Sequence, residues 1–130
     1  MVEIGWDCNG AASCRLNSGE HVRVGSADGW RGEDLLAAAV ATSVMETFLA
    51  AAFEARIAVL GYTGSAELVA TDGAKPQVAL HAAITVAAGV AANVIAALSR
   101  HARRTAPVPR MLATTLSVSS DVEVMSAALR

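Results

Sequence analysis

The chain has 130 residues, a formal net charge of -2, 54% hydrophobic residues and only 4% aromatics. That length provides for one core, so a single domain spanning residues 1–130 is expected. The weakly acidic balance gives no electrostatic basis for nucleic acid or an anionic membrane surface as a partner, and the alanine-rich apolar content favours close helix packing over bulky filling.

Residues 2–7 alternate weakly, Asn9 and Gly10 form a strong hairpin-turn signal, and residues 12–16 return as a second strand. After a turn at Asn17, Ser18 and Gly19, residues 21–24 read as a third short strand, followed by a loop over 25–32. The N-terminal quarter is therefore expected to be a small antiparallel meander. Residues 32–56, GEDLLAAAVATSVMETFLAAAFEAR, then form a long helix with Glu33 and Asp34 in its first turn, where negative charge complements the positive helix end. Its apolar stretch is long enough to span a membrane, but alanine dominates it and Thr42, Ser43, Glu46 and Thr47 interrupt it, which favours a helix buried in protein. A helix apolar on all sides needs cover on several sides, and in so small a domain that points to a partner subunit.

Residues 62–71 and 77–86 are β-prone runs around Asp72, Gly73, Ala74, Lys75 and Pro76, a composition suited to an antiparallel hairpin. Residues 92–104 place Val94, Ala97, Leu98 and Ala102 at amphipathic-helix spacing, with Arg100, Arg103 and Arg104 near the negative end. The helix should stop by Thr105, because Pro107 disfavours helical geometry at Ala106 and turns the chain extended. Residues 116–124 alternate as a final strand. The order of elements implies an α+β domain with helices packed on antiparallel sheet.

Two details of this pattern carry a resemblance. An acid opens the long helix and an alanine-rich stretch leads to Ser43, while Ala106, Pro107 and Val108 follow the second helix. From about Gly29 to Val124 the chain resembles the OsmC/Ohr family of thiol peroxidases. There a helix cysteine attacks an organic hydroperoxide, and a second cysteine in a Cys, Pro, Val run resolves the sulfenic acid as a disulfide. The resemblance implies an OsmC-like fold, an antiparallel sheet with a long central helix and a second helix, in an intertwined homodimer. It places Ser43 and Ala106 at the two cysteine positions. A serine hydroxyl is far less acidic than a thiol and has no sulfenic oxidation ladder, and alanine has nothing to resolve with, so the two-cysteine cycle is not expected at this site.

Glu33, ten positions before Ser43, matches the family's acid, which the resemblance pairs with an N-terminal arginine. Arg15 and Arg23 both qualify, Arg15 being slightly preferred. At ~1.5 Å rise per residue, Glu33 and Ser43 stand roughly 15 Å apart along one helix, so they meet only by chain bending or across a two-fold interface. Glu46, three residues after Ser43, puts a carboxylate on its face and would disfavour a thiolate there. Val40, Glu46 and Thr47 are the expected ligand-lining residues around Ser43. A non-peroxidase that binds a small apolar or acyl ligand at the dimer interface is the leading expectation. The alternative is a thiol-dependent hydroperoxide reductase using Cys14, beside Arg15, or Cys8.

Two cysteines and no basic-then-apolar leader argue for a reducing cytoplasm, where free thiols are favoured over a Cys8–Cys14 disulfide. His21, His81 and His101 lack metal-ligand spacing, so no metal and no cofactor are expected. Ser43 has no Gly-X-Ser-X-Gly elbow, which argues against a hydrolase. Arg100, Arg103, Arg104 and Arg110 form the one basic cluster, for which helix-end electrostatics provide an account.

Overall fold

The computed structural model describes residues 1–6, 12–25, 29–70 and 72–127, in two compact units, Met1–Leu36 and Ala37–Arg130. The Asn9–Gly10 turn and Cys8, and with them any Cys8–Cys14 pairing, lie outside the described residues.

In the first unit, β1 (Val2–Trp6), β2 (Ala12–Leu16) and β3 (His21–Arg23) form the expected meander, antiparallel in the order β1-β2-β3. Glu3 stands opposite Arg15, and Cys14 lies between Ile4 and Val22. After β3 the chain folds tightly on itself: the Trp30 N–H donates to the Arg23 carbonyl at 2.8 Å, and the Gly25 N–H to the Trp30 carbonyl at 2.9 Å. Only glycine fits at position 29, because a Cβ there would sit 2.9 Å from the Arg23 carbonyl carbon. The long helix α1 (Gly32–Glu54) starts immediately afterwards. The Asp34 carboxylate accepts the Arg31 backbone N–H at 2.9 Å, the reach-back half of a capping box, so the acids opening the helix serve as both cap and dipole partners.

In the second unit, α1 has two contrasting faces. Ala37, Val40, Val44, Phe48 and Ala52 are buried, a stripe at three- and four-residue spacing. The opposite stripe is exposed, with Ala39, Leu49 and Phe53 apolar and Thr42 and Glu46 polar. The helix closes in a Schellman arrangement, the Ile57 N–H donating to the Ala52 carbonyl at 2.9 Å and the Arg56 N–H to Phe53 at 3.0 Å. Arg56 supplies the left-handed residue, φ 58°, where glycine is favoured. Arg56→Gly is therefore expected to raise stability by roughly 1 kcal/mol in urea denaturation.

Strands β4 (Val59–Val69) and β5 (Gln77–Val86) pair antiparallel, as their turn composition implied. Alternation along β5 buries Val78, Leu80, Ala82, Ile84 and Val86. Helix α2 (Ala92–Thr105) follows and stops where expected, Ala106 taking φ -57° and ψ 135° ahead of Pro107. Its inward face is Ile95, Ser99 and Ala102; of the face inferred from spacing Ala102 is buried, Leu98 half-buried, and Val94 and Ala97 are exposed. Ile95 starts an unbroken inward row that a small serine at position 99 does not interrupt. Pro107 also opens a short helix not anticipated from sequence, α3 (Pro107–Met111), in which proline occupies the first position, where its missing N–H costs nothing. The final strand, β6 (Ser117–Ser126), pairs with β5 in parallel, giving the order β4-β5-β6. In this pair the sheet departs from the expected antiparallel arrangement, because the β5–α2–α3–β6 connection is a helical crossover that returns the chain in the same direction. The architecture is α+β, with two sheets and one long helix.

Candidate functional site

Ser43 sits half-buried on the flank of α1, between its buried and exposed stripes. The Val108 backbone N–H donates to the Ser43 hydroxyl oxygen at 3.2 Å. Val108 is the second residue of α3, so its N–H is one of the first-turn donors that a helix cannot satisfy internally. Ser43 supplies the missing acceptor from another element. Ala106, two residues earlier, is fully buried at 0% exposure. The structure thus brings Ser43 to the Ala106–Pro107–Val108 segment, although 65 positions separate Ser43 from Val108. Ser43→Ala should leave this part-buried donor unsatisfied and cost about 1 kcal/mol, with faster hydrogen exchange at the Val108 amide as the local readout.

Around Ser43, the Thr47 hydroxyl donates to the Ser43 carbonyl at 2.8 Å, a helix-internal bond. Val40 is wholly buried in the core, and Glu46 is exposed on the outer stripe of α1. In water the influence of that carboxylate on position 43 is weak. As a nucleophile, Ser43 would need a base within hydrogen-bond reach, and among the described residues its recorded side-chain partner is a donor, Val108.

A cleft of about 130 Å³ opens on the other flank of α1, lined by Ala41, Thr42, Met45, Tyr62, Gly64, Ser65, Leu80 and His81. The Phe48 and Tyr62 rings pack with centroids 5.8 Å apart and planes tilted by 44°. Burial pushes the Tyr62 hydroxyl pKa upward. None of these lining residues was assigned to a ligand site from sequence, where His81 was weighed only as a metal ligand, although a signal was present in the glycines within a strand. A Cβ at Gly64 would stand 3.2 Å from the His81 carbonyl oxygen, which marks a close backbone approach. On the outer side of the sheet, the parallel register brings His81 Nδ1 within 3.3 Å of Asp121 Oδ2, both exposed. An exposed pair of that kind contributes little to stability.

Glu33 and the N-terminal arginines belong to the first unit. There Glu33 pairs with Arg31 at 3.3 Å, and Arg15 pairs with Glu3 across the β1–β2 ladder. Arg23 is exposed on β3. Cys14 is half-buried on β2. Successive strand residues point to opposite faces, so the Arg15 guanidinium, committed to Glu3, does not lie beside the Cys14 sulfur as their adjacency in sequence suggested. Among the described residues, no cluster of three His, Cys, Asp or Glu side chains could hold a metal ion.

The fold is shared with several solved structures. A hypothetical protein from Aquifex aeolicus superposes with a TM-score of 0.79 at 11% identity, over 98% of this chain and 97% of that one. An organic hydroperoxide resistance protein OsmC from Legionella pneumophila gives 0.68 at 23% identity, over 95% and 96%. An organic hydroperoxide resistance protein from Elizabethkingia anophelis, with crystallant-derived thiocyanate bound, gives 0.71 at 18% identity, over 95% and 94%. No curated protein matches the chain. At these identities the superpositions establish the fold, and the family follows from sequence: residues 25–121 match the model of the OsmC-like proteins, so the chain belongs to the OsmC-like family.

Proposed function

We propose that this chain is a non-peroxidatic OsmC-like protein that binds a small apolar or acyl group against α1 and works as a homodimer in the cytoplasm. The observation that carries the reading is the Ser43 hydroxyl, engaged as the acceptor for the Val108 N–H two residues from Ala106. By the family resemblance these are the positions of the peroxide-reducing and resolving sulfurs. Their geometry supports a structural role for Ser43, joining α1 to α3, where a thiol would otherwise react. The nearby cleft supports the binding role: about 130 Å³ is comparable to the roughly 150 Å³ apolar cavity that holds one benzene. A ring or the end of an acyl chain is the size of ligand it suits.

The exposed stripe of α1 supports the dimer. Only 28% of the helix's most apolar window is buried within the chain, and Phe53 is 84% exposed. Such a face needs cover, and a second copy offering the same face through a two-fold axis provides it, with Glu46 at its centre and Thr42 shared between the face and the cleft.

Calorimetry of the purified protein with cumene hydroperoxide and with lauric acid tests the reading, alongside titration of free thiols after exposure to tert-butyl hydroperoxide. Saturable binding of either probe with thiols that stay reduced is the expected result. Absence of binding would refute the ligand site. Loss of thiol titre in step with peroxide consumed would establish instead a reductase working through Cys14 or Cys8. A monomer in sedimentation at micromolar concentration would overturn the dimer.

A further inference from the structure

Half of the chain's cations fall in one acid-free stretch. Residues 73–120 contain neither Asp nor Glu, yet they carry Lys75, Arg100, Arg103, Arg104 and Arg110, five of the ten Lys and Arg residues in a chain of net charge -2. The fold draws four of these five around a single basin. Arg103, Arg104 and Arg110 line a concavity of about 360 Å³ whose floor is Pro109, Leu116 and Val118. Lys75, from the β4–β5 turn, reaches the rim by donating from Nζ to the carbonyl of Ala113, itself a lining residue, at 2.9 Å. The ion pairs recorded among the described residues involve none of these four cations.

The negative end of α2 cannot account for so much charge. A helix terminus is equivalent to roughly half an elementary charge, which the last-turn pair Arg103 and Arg104 already exceeds. Arg110 and Lys75 come from other elements and add to the excess. Several guanidiniums around a basin, with no carboxylate paired to them among the described residues, form an environment suited to a multiply charged oxyanion, whose oxygens accept paired N–H donors from planar arginine forks. The volume lies within the roughly 300–1,000 Å³ typical of small-molecule sites. The buried Pro109 and Leu116 leave an apolar floor for whatever carries the anion.

We propose that this basin is a binding site for a soluble phosphoryl anion, such as a phosphomonoester or diphosphate. It is separate from the cleft on α1 and does not depend on the reading of Ser43. Its only link to that region is α3, which supplies Pro109 and Arg110 to the basin and Val108 to Ser43.

Inorganic pyrophosphate is the probe, titrated into the full chain in about 0.15 M NaCl, where charges farther apart than about 8 Å are screened, and followed by amide and arginine side-chain NMR shifts. The expected result is a saturable shift centred on residues 103–118. Arg103→Gln and Arg110→Gln should each weaken it by about tenfold, as expected for loss of a charge-assisted bond. Arg23→Gln, a cation of the other unit, should leave it unchanged. Arg110 is exposed and Arg103 half-buried, and an unchanged thermal melt confirms that both variants fold. Shifts that fail to saturate at millimolar pyrophosphate, or that Arg23→Gln weakens as much as Arg110→Gln, overturn the proposal. So does co-pelleting with phosphatidic acid vesicles in the absence of pyrophosphate binding, which would place the phosphoryl group on a lipid surface.

Discussion

Phe48→Ala is expected to lower the stability of the protein by about 3–5 kcal/mol, the largest effect of any single truncation proposed for it. Phe48 is 1% exposed and is the largest side chain in the buried stripe of α1, with its ring against that of Tyr62. Truncation removes the transfer free energy of the ring and leaves a cavity beside a second ring that cannot collapse to fill it. In an alanine-rich core few other side chains are large enough to compensate. Urea denaturation should show a lower midpoint with an unchanged slope, and a loss below about 1 kcal/mol would mean that this face of α1 is not the core. Because Tyr62 is the only tyrosine, its absorbance titration reads the same site. Burial raises its pKa above the ordinary 10.0, so the folded state favours the neutral phenol. That contribution is fully present below the unfolded value and is lost as pH rises through the folded one. Admitting water through Phe48→Ala should move the Tyr62 titration back down.

The unmodified protein is expected to leave tert-butyl hydroperoxide unconsumed, while the double variant Ser43→Cys, Ala106→Cys is expected to gain thiol-dependent turnover. A thiolate at position 43 would inherit the Val108 N–H, now as a charge-assisted donor that favours the ionised form. Glu46, which from sequence threatened to suppress that thiolate, lies on the exposed outer stripe of α1, where water screens it in a single protomer. The balance is two thiols and one hydroperoxide to one disulfide, the alcohol and water. Ser43→Cys alone should stop at the sulfenic acid and pass on to irreversible oxidation, since no second sulfur accompanies it at this site. Position 106 is fully buried, so adding a sulfur there carries an overpacking cost of about 1–3 kcal/mol, visible in the melt. Turnover by the unmodified protein would sink the non-peroxidatic reading. A double variant that folds, yet neither consumes peroxide nor forms the disulfide between positions 43 and 106, would show that the scaffold no longer supports the chemistry.

Several elements could be read directly from the chain because their signals are local. The acids at the start of α1, the turn composition around Gly73 and the stop imposed by Pro107 depend on neighbours within a few residues, and all three appear where expected, while α1 itself ends at Glu54, two residues short of the expected Arg56. On α2 the inferred face held at Ala102 but gave Val94 and Leu98 where Ile95 and Ser99 are buried, because short alanine-rich periodicity fits adjacent registers almost equally well. The parallel pairing of β6 and the helix α3 were missed for a different reason: each depends on where the chain returns after a crossover, which no local pattern encodes.

The same division applies to the candidate site. The sequence alone determined that no sulfur stands at position 43 or 106 and that the chain belongs with OsmC-like proteins, since residue identity and motif order are properties of the chain itself. Only the tertiary structure decided what the Ser43 hydroxyl does, because its partner is a backbone N–H left over at the start of a helix 65 residues away. Tertiary structure alone also committed Arg15 to Glu3, placed Glu46 on the outer stripe of α1, and gathered Lys75 with three arginines of α2 and α3 around one basin. Hydrogen-bond partners and local dielectric depend on distance through space, and a linear sequence carries that information only after it has folded.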